Sequence, residues 1–179
     1  YQLIGFPGDG GELINTYLSG QQDTQWEVYW DNGRQVDYPQ YYVKYDGSAS
    51  FRCRAGKGFW LLHIGDWVVT NKIVTTAPLN ANRAATILLT PGKGYHLLTN
   101  PFTQTISWAS IAAANNFSDN IREWTGSAWS NTDVFAPYKG YAWFNSDSNR
   151  TSIHIPYDLT VPKVGGDPTP EASDWRIRV

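Results

Sequence analysis

The chain has 179 residues, a net charge of −2 and 41% hydrophobic residues, enough for one large domain or two small ones around a real core. With a sequence pI near 5.9 and a mean hydropathy of −0.42, and with Lys and Arg scattered, it lacks the charge to hold a nucleic-acid backbone. No apolar run approaches the roughly 20 residues of a membrane helix, whereas nine Trp and eleven Tyr against 17% charged residues fit an aromatic-rich β domain.

In chain order, a strand over Tyr1–Pro7 is followed by a short helix around Glu12–Ser19. Trp26-Glu27-Val28-Tyr29-Trp30, if extended, puts Trp26, Val28 and Trp30 on one face and Tyr29 on the other. Tyr41–Tyr45 leads into a Gly47-Ser48-Ala49 turn and Phe51–Arg54 leads out, a hairpin signal. Lys57-Gly58-Phe59 opens a strand over Phe59–Ile64; Asp66–Val69 and Ala84–Leu89 read as two more, with a partly looped stretch between them. Tyr95–Pro101 repeats the opening strand, and Ser107–Asn115 reads as a helix, with Ser107 as N-cap and alanines favouring it. Asn120–Trp124 and Val134–Ala136 flank a second Gly126-Ser127-Ala128 turn; Tyr141–Asn145 and Ser152–Ile155 complete the strands.

The internal repeat organises all of this. Tyr1–Pro7 aligns with Tyr95–Pro101, Tyr45–Ala49 with Trp124–Ala128, and Lys57-Gly58-Phe59 with Lys139-Gly140-Tyr141, at offsets of 94, 79 and 82. The varying offset places about fifteen extra residues of the first half between its Pro and its Gly-Ser-Ala turn, as surface loops tolerate. The expectation is an all-β fold with minor α content: a β-sandwich or barrel of two pseudo-symmetric halves (about 1–70 and 84–157, within a module spanning 1–160), one short helix in each. Residues 161–173 read as a Pro- and Gly-rich linker. Residues 174–179 (Asp174-Trp175-Arg176-Ile177-Arg178-Val179) alternate like the first strand of a following β domain. With no Met and a start at Tyr1, the chain reads as a piece of a longer multidomain protein.

Catalytic signatures are weak. Glu27 and Glu123 lie beside Trp26 and Trp124; two carboxylates across a groove could hydrolyse a glycoside, but solvent-facing hairpin positions explain them more simply. His63, His96 and His154 lack metal-ligand spacing. Asn145-Ser146-Asp147-Ser148-Asn149 alternates oxygen donors but lacks the Gly and distal Glu of a calcium loop, so it reads as a turn. Cys53, alone, allows no intrachain disulfide, and strand alternation would bury it. No metal, cofactor or catalytic residue is assigned. Asn116-Phe117-Ser118 and Asn149-Arg150-Thr151 are formal glycosylation acceptors.

The aromatics are the candidate functional residues: Trp26 and Trp30, Tyr38 and Tyr41 in the first half's extra stretch, and Trp124 and Trp129 beside the second hairpin. Flat rings near Asn, Asp and Gln suit the C–H face of a pyranose; they suit a protein hot spot and a fold core as well.

Gly94-Tyr95-His96-Leu97-Leu98-Thr99-Asn100-Pro101-Phe102, then a helix holding Trp108, then Pro137-Tyr138-Lys139-Gly140-Tyr141-Ala142-Trp143-Phe144 resemble a β-rich module near the C-terminal end of secreted or cell-surface multidomain bacterial proteins. The resemblance covers about residues 1–160; His96 and Gly5 depart from the commoner pattern. It implies export to the cell surface or beyond and names no catalytic residue. The function expected is a non-catalytic accessory module for adhesion or carbohydrate binding, with polysaccharide or neighbouring protein domains as partners; the alternative is a structural spacer or assembly subunit of a surface layer or filament.

Overall fold

Apolar alternation becomes strand along most of the chain. In the computed structural model, which describes residues 1–31, 41–65, 77–92 and 94–157, the first half supplies β1 (Gln2–Gly5), β2 (Trp26–Asp31), β3 (Tyr42–Lys44) and β4 (Gly58–His63). The second supplies β5 (Ala84–Leu88), β6 (Tyr95–Thr99), β7 (Ile106–Ser107), helix α1 (Trp108–Ala114), β8 (Ile121–Trp124), β9 (Trp129–Thr132), β10 (Val134–Phe135), β11 (Gly140–Phe144) and β12 (Ser152–Pro156). Two four-stranded sheets result, ordered β1-β4-β2-β3 and β6-β11-β8-β9. All pairings within them are antiparallel. This is the expected all-β fold with a minor helical part.

The sheets repeat each other residue for residue. Leu3 pairs with Trp60 as Leu97 pairs with Ala142, and Val28 pairs with Leu61 as Ile121 pairs with Trp143. The Leu13–Arg52 bridge corresponds to the Ser107–Val134 pair of the small β7–β10 ladder.

The halves also meet reciprocally. Ile4 bridges Lys139 while Lys57 bridges Leu98. Gly140 lies against Leu3, and Gly58 against Leu97. Gly5 faces its own counterpart, Thr99; a Cβ on Gly5 would stand 1.9 Å from Thr99 Cγ2. Two copies meeting through the same patch on each is the geometry of an isologous dimer, here within one chain.

The face of each sheet turned away from this junction covers its own core. Phe51, Phe59, Leu61 and Val28 are at most 1% exposed in the first. Trp143, Tyr141, Ile121 and Phe135 are fully buried in the second. The β5–β12 ribbon closes the second core with Ile87, Ile153 and Ile155, and Asn115 of the α1 C-cap ties helix to ribbon by exchanging hydrogen bonds with the His154 backbone, both at 2.7 Å.

The aligned Lys57-Gly58-Phe59 and Lys139-Gly140-Tyr141 phrases use each of their positions in the same way. The residue before each Lys adopts a left-handed conformation: φ is +76° at Gly56 and +63° at its counterpart Tyr138. The following Gly admits the other half's strand, since a Cβ on Gly140 would lie 2.5 Å from Leu3 Cγ and 2.9 Å from its backbone. The aromatic, Phe59 or Tyr141, enters the core.

Several expectations change. The first half's helix is one 3₁₀ turn, Ile14–Tyr17, because Ile-Asn-Thr-Tyr lacks the alanines that favour α1. Ser107 holds the N-cap position without capping; Asp133 does so instead, its Oδ1 accepting from Ala109 N at 2.7 Å and its Oδ2 from Ser107 Oγ at 2.8 Å. The two Gly-Ser-Ala turns are not equivalent. Gly126 joins β8 to β9, whereas Gly47 follows β3 and leads into a 3₁₀ turn, Ala49–Phe51. Ladder register matches β2 to β8 and β3 to β9, so the extra residues flank β3: ten against four before it, and thirteen against seven between it and β4. Val134-Phe135 pairs with β7 rather than across the Gly126 turn. Asn145–Asn149 is a turn whose Asn145 and Asp147 carboxamide and carboxylate oxygens accept backbone N–H groups two residues on. The strand expected at Asp66–Val69, the linker over 161–173 and the strand over 174–179 lie outside the described residues.

Candidate functional site

Strand parity distributes the candidate aromatics among different jobs. Trp26, 5% exposed, belongs to the first core, and its Nε1 donates to Gly20 O at 3.1 Å; no ring face is left for a ligand. Trp30 is half-buried beneath Lys57, whose Nζ lies 4.8 Å from the ring centroid. Lys57 also donates to Ser50 O and lies 5.4 Å from the Phe59 centroid. Burial nonetheless outweighs these partners and pushes the ammonium down to about 8. In the second half Lys139 is paired with Glu123, the residue at the Trp30 position, and lies 6.0 Å from the Tyr141 centroid.

Trp124 and Trp129 do come together, with Tyr1 and Trp60 of the other half. Tyr1 stacks on Trp124 at 5.2 Å, and Trp60 meets Trp124 and Trp129 edge-on at 5.9 and 5.7 Å. Trp60 is 9% exposed, so this cluster chiefly cements the halves, with Tyr1 and Trp129 at its rim. Tyr41 meets Tyr42 at 4.8 Å; burial first, then the Asp31 carboxylate, holds its hydroxyl well above the ordinary tyrosine range. Tyr38 lies outside the described residues.

The junction's two-fold relation identifies a further place. The counterparts of Tyr1 and Trp60 are Tyr95 and Ala142. Where Trp60 fills one side, Ala142 leaves a cavity of about 180 Å³, lined by Tyr95, Phe144, Ala142, Arg122, Asn120 and Asp119. Phe144 pairs with Tyr95 and Ala142 with Arg122 across neighbouring strands, so all four side chains share the sheet face away from the second core. The Tyr95 and Phe144 rings meet at 5.0 Å and 63°, and are 42% and 46% exposed. Asp119 Oδ2 accepts from Ser146 Oγ at 2.9 Å. Aromatic rings thus stand beside an amide, a carboxylate and a guanidinium around one small cavity.

None of the residues lining this cavity was among the sequence candidates. The signal was present: the Lys57/Lys139 alignment sets Trp60 against Ala142. Among the described residues no three His, Cys, Asp or Glu side chains gather as metal ligands. No helix of the described residues is long and apolar enough to cross a membrane.

No family model, curated protein or solved structure matches this chain.

Proposed function

We propose that the chain is a non-catalytic, extracellular accessory module that holds a carbohydrate in the cavity between Tyr95 and Phe144. The observation carrying this reading is the pairing of two half-exposed rings with Asn120, Asp119 and Arg122 around one small cavity. A pyranose would lay its C–H face on a ring and direct its hydroxyls to the amide and carboxylate. Trp129, at the rim of the inter-half cluster, belongs to the junction in this reading.

The test is a glycan array probed with the labelled protein, followed by titration of the best ligand. Phe144→Ala and Tyr95→Ala should each weaken binding about tenfold or more, the scale of one lost ring-stacking contact. Trp129→Ala should leave it within about twofold. Binding that survives both ring truncations, or that disappears with Trp129→Ala, overturns the assignment of this cavity. Silence across the array, with concentration-dependent self-association instead, favours an assembly subunit.

A further inference from the structure

We propose that the bound sugar carries a carboxylate and that Arg122 reads it, an inference that rests on the carbohydrate reading above. The first half supplies an internal control. By ladder register, Glu27, Tyr29 and Lys44 of the first sheet occupy the positions of Asn120, Arg122 and Asn131 in the second. In the first half these three side chains are linked to one another, and Lys44 also pairs with Asp23 at 3.0 Å. Glu27 Oε1 accepts from Lys44 Nζ at 2.7 Å and Glu27 Oε2 accepts from Tyr29 OH at 2.7 Å. The Lys44 hydrogen bond first, then that of Tyr29, holds the Glu27 carboxyl below the usual carboxylate range.

In the second half the cation remains but has moved to the central position, and an amide stands where the carboxylate was. Among the described residues nothing hydrogen-bonds or ion-pairs with the Arg122 guanidinium. Its ladder neighbours are Ala142 and Asn131, and Asp119, which also lines the cavity, accepts from Ser146 Oγ through Oδ2 and makes no ion pair with Arg122. A guanidinium presents a planar fork that matches a carboxylate with two parallel hydrogen bonds. Beside Tyr95 and Phe144 that fork is placed to take the acid group of a uronic acid whose ring lies on an aromatic face. The ligand then supplies the anion that Glu27 supplies in the first half.

The experiment compares an oligogalacturonate with its fully methyl-esterified form, which keeps the ring and hydroxyls and removes the charge, each titrated against the intact chain. The free acid should bind at least tenfold more tightly than the ester, with a preference that shrinks as salt is raised. Arg122→Gln should erase the preference. Asn120→Glu, which restores the first half's internal carboxylate, should erase it too while leaving the guanidinium in place. Equal binding of acid and ester by the wild type, or an undiminished preference in Arg122→Gln, overturns the acidic-sugar assignment while the carbohydrate reading stands. If neither compound binds but the array yields a neutral glycan dependent on Phe144, the acidic class is again wrong. If no glycan binds at all, the carbohydrate reading itself fails.

Discussion

Replacing Gly5 with alanine would set a new Cβ 1.9 Å from Thr99 Cγ2 and 2.5 Å from Thr99 Cβ. Gly5 is not among the positive-φ residues, so the cost is steric. The Thr99 methyl can rotate away, but its Cβ is fixed to the backbone. The loss therefore belongs near the top of the range for overpacking, about 3 kcal/mol. Thr99→Gly alone forfeits the Oγ1 hydrogen bond to Lys57 O at 3.3 Å, empties a fully buried position and loosens a strand, together about 2 kcal/mol. In the double variant the glycine lies on the other side of the pseudo-axis, and the clash is gone. Its loss should equal that of Thr99→Gly alone, about 2 kcal/mol rather than the additive total of about 5, a coupling of roughly 3 kcal/mol between the sites. Urea unfolding with a shared m-value measures all three variants against the wild type. Additive losses, or a Gly5→Ala chain as stable as the wild type, would refute the close approach of the two halves at this point.

Asn100 is fully buried; its Nδ2 donates to Gln104 O at 2.7 Å and Phe135 O at 2.6 Å, and its Oδ1 accepts from Phe102 N at 2.9 Å. Asn100→Ala strands three buried backbone groups and should cost about 3 kcal/mol or more, read from thermal unfolding; a loss under about 1 kcal/mol would mean the loop repacks. Alkaline stability should carry two opposing signatures. Burial lowers Lys57 from its ordinary 10.5 to about 8, so from pH 8 to about 10.5 the unfolded chain binds more protons at this site and stability rises with pH. Burial raises the Cys53 thiol from 9.0 to about 12, so its contribution is intact below pH 9 and is lost as pH climbs toward 12. The wild-type profile minus that of Lys57→Met isolates the rising part, and minus that of Cys53→Ala the falling part; flat difference curves would contradict both. A thiol reagent at pH 8 should likewise modify Cys53, 5% exposed, only as fast as the chain opens.

The sequence made the repeat legible because its anchors are residues the backbone cannot replace. Offsets of 94 at Tyr1/Tyr95 and 82 at Lys57/Lys139 reappear as ladder register. Both reflect positions where a strand starts, or where a glycine admits the other half. The middle offset of 79 failed because Gly-Ser-Ala is local turn chemistry. Such a motif bends the chain equally well after β3 and between β8 and β9. Nothing in three residues says which strand comes next; only the ladder does. The aromatic candidates were obscured for a related reason. Period two tells which rings share a face, and correctly put Trp26 and Val28 together. It does not tell which face meets the core and which meets the second sheet. Trp26 thus went to a core and Trp124 to a junction, although both are strand tryptophans.

A duplicated fold begins with two equal faces, and the differences between them show where a single function can reside. Positions that govern the backbone stayed alike: Gly58 and Gly140 both admit a neighbouring strand, and Gly56 and Tyr138 hold the same left-handed turn even though a tyrosine bears strain there that glycine avoids. Positions that carry only side-chain business drifted. A cation–π contact under Lys57 became an ion pair under Lys139. Where the first half links Glu27, Tyr29, Lys44 and Asp23, the second has an Asn120–Arg122–Asn131 row. A sealing Trp60 became Ala142. The first of these changes exchanges one satisfied partner for another and needs nothing from outside the chain. The other two fall on one face of one sheet, and both remove material or charge compensation that the opposite half retains. On the acidic-sugar proposal a single ligand would fill the cavity beside Ala142 and pair with the exposed Arg122 guanidinium, so the two differences would have one cause.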